Sequence, residues 1–196
     1  LTIRRPHVLN ALNAAVYAQL DRHFAALEAD PAVRGVVVTG FGKKAFVSGA
    51  DVAMLAAVKT PADGERASRA SHAVMNRIEN LRKPVICAYN GLAFGGGNEL
   101  ALACHARLAP KGLKVLAGQP EPNLGIVPGA GGTQRLPRIV GLEAAWPMLR
   151  LGRPIGSAEA KRIGLVRDEI EGDVAAAAIE LARQASSGRV RLERIR

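Results

Sequence analysis

Two glutamates stand in settings that suggest chemistry. Glu99 follows three consecutive glycines, Gly95, Gly96 and Gly97, and leads into the apolar, helix-prone segment Leu100 to Cys104. A short β-prone segment, Pro84 to Tyr89, comes before them, so the stretch Asn90 to Leu100 reads as a strand-to-helix turn. At such a turn the first N–H groups of the helix lack carbonyl partners and the helix dipole favours negative charge. Missing Cβ atoms let a ligand approach the backbone. Glu121 is held between Pro120 and Pro122, in a loop whose backbone has few options. Two carboxylates that converge on one water can divide acid and base roles when their surroundings push their pKa values apart. The plainer readings stand beside this one. Glu99 can simply complement a helix N-terminus, worth roughly 0.3–1 kcal/mol, and Glu121 can be a turn residue.

Other chemistries find little support. The glycine run lacks the Gly-Lys-Ser/Thr ending of a nucleotide-binding loop, and Gly40-Phe41-Gly42-Lys43 has neither its spacing nor its hydroxyl. The four histidines, at 7, 23, 72 and 105, share no ligand spacing with one another or with the cysteines, so no metal site is expected. No serine stands in a Gly-x-Ser-x-Gly frame.

The remaining elements must position these residues. A chain of 196 residues with 48% hydrophobic content can bury a core as one domain. Apolar positions Val16, Leu20, Phe24 and Leu27 predict a helix ending near Asp30-Pro31, and Gly35 to Gly40 reads as a buried strand. A β-like approach leads to a small-residue corner, Ser48-Gly49-Ala50-Asp51. A long helix is expected from Pro61 to Leu81. Residues 106–117 read as a strand pair around Lys111-Gly112, and Gly129 to Leu136 as a tight turn into a helix. Beyond it come a helix from Glu143 to Leu151 interrupted by Pro147, a helix capped by Ser157, a strand within Leu165 to Ile170, and a helix opened by Asp173. The alternation of strand and helix points to an α/β fold, either stacked ββα turns or a parallel sheet.

No apolar run approaches bilayer-spanning length, and no secretory leader pattern opens the chain, so a soluble protein is expected. Cys87 and Cys104, both in apolar surroundings, read as buried thiols and favour the cytoplasm. The net charge of +10 is spread in small groups, including Lys43-Lys44, the 135–138 segment and the 189–196 tail. Such a balance suits an anionic ligand or partner, or a solvated basic surface.

With Arg5 to Leu12, Ala45 to Asp51, Lys83 to Leu100 and Gly118 to Leu136 in that order, the chain resembles the crotonase superfamily, most closely its enoyl-CoA hydratases. The resemblance implies a spiral of ββα units as a catalytic core over residues 1–140, followed by a helical region over 141–196. Relative to the family, that region and the N-terminus look short, and Pro147 falls in a helix the family usually keeps regular.

The resemblance also implies a homotrimer or dimer of trimers. The amides of Ala50 and Gly96 would grip a thioester oxygen, and Ala50, Asp51, Val52, Ala53 and Gly96 would line the acyl-CoA site. Glu99 would act chiefly as base toward water, and Glu121 would protonate the α carbon. Coenzyme A would enter as part of the substrate, with no cofactor or metal required. The pairing of Ala50 with Gly96 rests on the resemblance alone, since the two corners lie far apart in sequence. Other readings within the superfamily are a Δ3,Δ2-enoyl-CoA isomerase, an idle structural paralogue and an RNA-binding homologue. The last is disfavoured because aromatic residues do not accompany the basic groups.

Overall fold

The computed structural model describes residues 1–192, so the last four residues of the basic tail and of the 141–196 region lie outside it. Two parallel sheets organise the chain. The larger has the order β1 (Thr2–Ile3), β2 (Val36–Gly40), β4 (Val85–Ala88), β6 (Ala106–Pro110), β8 (Asp168–Ile170), and the smaller joins β3 (Ala45–Val47), β5 (Leu92–Phe94) and β7 (Ala117–Gly118). From β2 to β7 each turn of the chain lays one strand in the large sheet and the next in the small one, then crosses back. The second turn does so through α4 (Gly96–Ala103) and the first through α2 (Val52–Ala56) and α3 (Pro61–Asn80). All these pairings are parallel. The result is a mixed α/β fold built on parallel sheets, with the ββα progression that the family resemblance implies.

The reason lies in the strands themselves. Parallel strands covered on both faces are apolar throughout, and Val85-Ile86-Cys87-Ala88 is buried at every position. Its residues alternate in destination. Val85 and Cys87 join the main core with Phe24, Phe46, Met75 and Tyr89, whereas Ile86 and Ala88 pack with Ala178 and Leu181 of α8 (Val174–Ser186). Phe46 and Tyr89 meet edge to face with ring centroids 5.4 Å apart. Each such buried aromatic contributes about 1.5–3 kcal/mol through removal from water. Helix α1 (Ala14–Ala29) is capped by Asn13, whose Oδ1 accepts from Val16 N at 3.0 Å, and it buries Tyr17, Leu20 and Phe24.

Three expectations are corrected. The 106–117 segment is not a hairpin: β6 pairs with β4 and β8, and β7 pairs with β5, because each strand finds a parallel neighbour in a different sheet. Helix α7 (Ser157–Arg162) is preceded by Gly156 in the cap position, and Ser157 is buried with its hydroxyl accepting from Leu113 N at 3.0 Å. Pro147 does not interrupt its helix, since α6 runs from Leu142 to Leu151 through it. Cys87 and Cys104 are buried free thiols, as expected.

Candidate active site

The site is built at the N-terminus of α4. Its packing explains the glycines: a Cβ on Gly97 would overlap the Val47 carbonyl oxygen, so α4 can start this close to β3 only without a side chain there. Gly95, the residue before the helix, has φ +49°, and a Cβ on it would stand 2.8 Å from Glu121 Oε1. The carboxyl group of Glu121 therefore lies directly over the entry to α4.

Glu99 sits in the first turn of α4 and is 2% exposed. Its Oε1 accepts from Ala130 N at 2.8 Å and Gly132 N at 2.7 Å. Gly132 is the first residue of α5 (Gly132–Val140), so the carboxylate occupies the unsatisfied N–H groups of a second helix start. That loop is fixed in turn by Arg135. Its guanidinium donates to Ala130 O at 3.0 Å, to Asn76 Oδ1 at 2.7 Å, and to Glu79 Oε2 at 2.9 and 2.7 Å from its two nitrogens. Burial pushes the Glu99 carboxyl above the usual carboxylate range, while the two amides and the Arg135 charge oppose that rise.

Glu121 is held differently. It opens a short 3-10 turn, Glu121–Leu124, and its Oε2 is buried without a hydrogen-bond partner. Burial, reinforced by the nearby Glu99 charge and opposed by its own backbone N–H, pushes its carboxyl up to about 7. Its unpartnered oxygen marks a group that protein neighbours do not satisfy.

The second small-residue corner arrives from β3. Leu12 N donates to Gly49 O at 2.8 Å and Asp51 N donates to Leu12 O at 2.7 Å, which brackets Ala50 in a parallel bridge with Leu12. Arg5 then clamps Asp51 (Nη1 to Oδ2, 2.9 Å), and Asp51 caps α2 by accepting from Ala53 N at 3.0 Å. The Arg5 hydrogen bond is the main reason the Asp51 carboxyl lies below its ordinary range. Neither Ala50 N–H nor Gly96 N–H donates to another described residue. The two are neighbours in space: a Cβ on Gly96 would lie 3.6 Å from Ala50 N. Two free amides thus meet beside two raised carboxyls, an arrangement able to hold an oxyanion and to move protons next to it.

The structure therefore brings Ala50, Gly96, Glu99 and Glu121 together. Asp51 stands at the rim, engaged with Arg5, while Val52 and Ala53 are exposed on α2. Sequence reasoning passed over Gln119, Arg135 and Tyr17. Gln119 is fully buried, and its amide nitrogen, in the orientation that satisfies both ends of the group, donates to Gly95 O at 3.1 Å and Gly118 O at 2.9 Å. Arg135 had a signal: a cation in the first turn of a helix is disfavoured by the dipole and needs a strong partner. Tyr17 had one too, as a hydroxyl on the buried face of α1. Among the described residues no cluster of His, Cys, Asp or Glu could hold a metal ion, and no helix is long and apolar enough to cross a membrane.

This fold is that of a known class: the chain belongs to the enoyl-CoA hydratase/isomerase family, whose sequence profile matches residues 1–192. Among solved structures it is similar to an enoyl-CoA hydratase from Bacillus anthracis, with 37% identity, a TM-score of 0.88, and coverage of 95% of this chain and 71% of that one. It is also similar to DspI of Pseudomonas aeruginosa, with 34% identity, a TM-score of 0.88, and coverage of 94% and 70%. Among curated relatives, the fatty acid oxidation complex subunit alpha of Shewanella sp. (strain W3-18-1) is 43% identical over 162 residues, which are 83% of this chain and 23% of that protein. The chain thus spans about a quarter of the length of the curated relatives it matches.

Proposed function

We propose that the protein is an enoyl-CoA hydratase, adding water across the 2,3 double bond of a 2-enoyl-CoA to give a 3-hydroxyacyl-CoA in acyl-CoA metabolism. The observation that carries this reading is the convergence of two differently held carboxyls, Glu99 and Glu121, on the two-amide corner of Ala50 and Gly96.

In this reading the Ala50 and Gly96 amides receive the thioester oxygen and make the β carbon electrophilic. Water attacks that carbon and gives its proton to Glu99, whose carboxyl is held and aimed by its two amide bonds. The negative charge moves to the thioester oxygen, where each amide donor contributes about 2.7–4 kcal/mol to the transition state. Glu121, protonated in a large share of molecules at neutral pH, delivers its proton to the α carbon. Transfer of the proton from Glu99 to Glu121 through the next water restores the starting state.

Ala50, Asp51, Val52, Ala53 and Gly96 form the acyl-CoA binding edge in this reading, and coenzyme A is part of the substrate. The mechanism itself calls for no further cofactor. The +10 charge suits the phosphates of the coenzyme. Assembly as a homotrimer or dimer of trimers is supported by the exposed apolar side chains Leu124, Val127, Leu142, Trp146 and Leu151. Residues 1–140 then act as the catalytic core and 141–196 as a helical region. The buried free thiols fit a cytoplasmic setting.

The test is crotonyl-CoA hydration, followed by loss of the conjugated thioester absorbance. Glu99→Gln and Glu121→Gln should each lower kcat by about a thousandfold with far-UV circular dichroism unchanged. Wild-type rates in either variant would remove the assignment, and faster turnover of 3-enoyl than 2-enoyl esters would move it to an isomerase.

A further inference from the structure

Tyr17 is an ionisable side chain at the oxyanion corner that the proposed mechanism leaves idle. It lies on the inward face of α1 with Leu20 and Phe24, where a phenol gains nothing over an apolar residue unless its oxygen has something to bond. That oxygen does not point into the aliphatic core. A Cβ on Gly96 would stand 3.4 Å from Tyr17 Oη, 3.6 Å from Ala50 N and 3.7 Å from Leu12 Cδ1. The phenol oxygen and the Ala50 amide therefore border the same small volume at the first residue of α4.

The other polar neighbours agree with this placement. Ser71 of α3 sits beside the phenol, and its own hydroxyl donates to Ala67 O at 2.9 Å. Burial and the Glu99 charge push the phenol up to about 12, so it stays a neutral O–H donor throughout the working pH range. Arg5, Asp51 and Arg135 are occupied by their own pairings.

We propose that Tyr17 is a catalytic residue of this site, its Oη–H donating a third hydrogen bond to the thioester oxygen as that oxygen becomes an enolate. The inference rests on the hydratase reading. No bond to Tyr17 forms or breaks in the reaction. The phenol hydrogen turns to the substrate oxygen as charge develops there. Because the charge is largest in the transition state, the added donor acts on kcat more than on KM.

The experiment pairs rate with spectrum in wild type and Tyr17→Phe. Wild type must first hydrate crotonyl-CoA. If it does not, the hydratase reading fails, and the spectral arm alone then judges Tyr17. With hydration in hand, Tyr17→Phe should lower kcat about tenfold with KM within twofold of wild type. A conjugated 2,4-dienoyl-CoA bound to the variant should show a clearly smaller red shift, because that shift reads polarisation of the thioester carbonyl. An unchanged rate, or a lowered rate with the full red shift, overturns the proposal. Should Tyr17→Phe fail to fold, Tyr17→Leu, of the same type as its neighbours Leu12 and Leu20, carries the same two readouts.

Discussion

Glu99 and Glu121 are the same residue type on either side of one helix start, yet the protein treats them in opposite ways. Glu99 is tied down from behind, with two amides on one oxygen and a buried arginine anchoring the loop that supplies them. Glu121 sits at the head of a 3-10 turn whose following residues Leu124 and Val127 are largely exposed, and one of its oxygens has no partner. Burial raises both carboxyls, but the first arrangement opposes the rise with two amides and fixes the group in place, whereas the second leaves an oxygen unpartnered on a carboxyl that keeps its proton to near neutrality. In the proposed mechanism, position relative to helix starts, rather than residue identity, separates base from acid.

The sharpest way to break the contrast is at Gly95. Gly95→Ala places a Cβ 2.8 Å from Glu121 Oε1 at a backbone φ of +49°, so the carboxyl must leave its place. Hydration should fall at least about a hundredfold while Glu99 keeps both amides; a variant active within threefold of wild type would deny that Glu121 is held over α4. On the other side, Arg135→Met strips Glu79 and Ala130 O of their partner. It should cost about 3 kcal/mol of stability in urea denaturation, with a loss of kcat, because the loop behind Glu99 is no longer anchored.

A smaller effect tests Glu121 without catalysis. Its folded-state pKa of about 7 lies above the ordinary 4.5, so the folded form is disfavoured progressively as pH rises from about 4.5 and fully above about 7. Glu121→Gln removes that penalty. It should raise stability over wild type by at most about 3 kcal/mol at pH 8 and by almost nothing at pH 4, read as the difference in melting temperature across pH. A difference independent of pH would mean that Glu121 is not raised.

Much of this was legible in the residues. The helix from Pro61 onward and the buried strand at Val85 announce themselves through periodicity and proline placement, while glycine and proline placement singles out both glutamates without deciding their roles. What escaped were features decided by partners distant in sequence. Lys111-Gly112 has the chemistry of a hairpin turn, but the flanking strands are captured by β4 and β5 instead. Asp51 looks like the end of a β-like run and is in fact the cap of α2, held by an arginine 46 residues away. Arg135 resembles one of many surface cations until Glu79 and Asn76 are seen against it. The meeting of Ala50 with Gly96 could be expected only through resemblance, since nothing in their spacing brings them together.

The division of labour between the two carboxyls is tested most directly by exchange of the α protons of butyryl-CoA in deuterium oxide, followed by proton NMR with wild type, Glu99→Gln and Glu121→Gln. If Glu121 serves the α carbon and Glu99 serves water, Glu99→Gln keeps exchanging these protons while losing crotonyl-CoA hydration, and Glu121→Gln loses both. Exchange at the wild-type rate in Glu121→Gln would contradict the account.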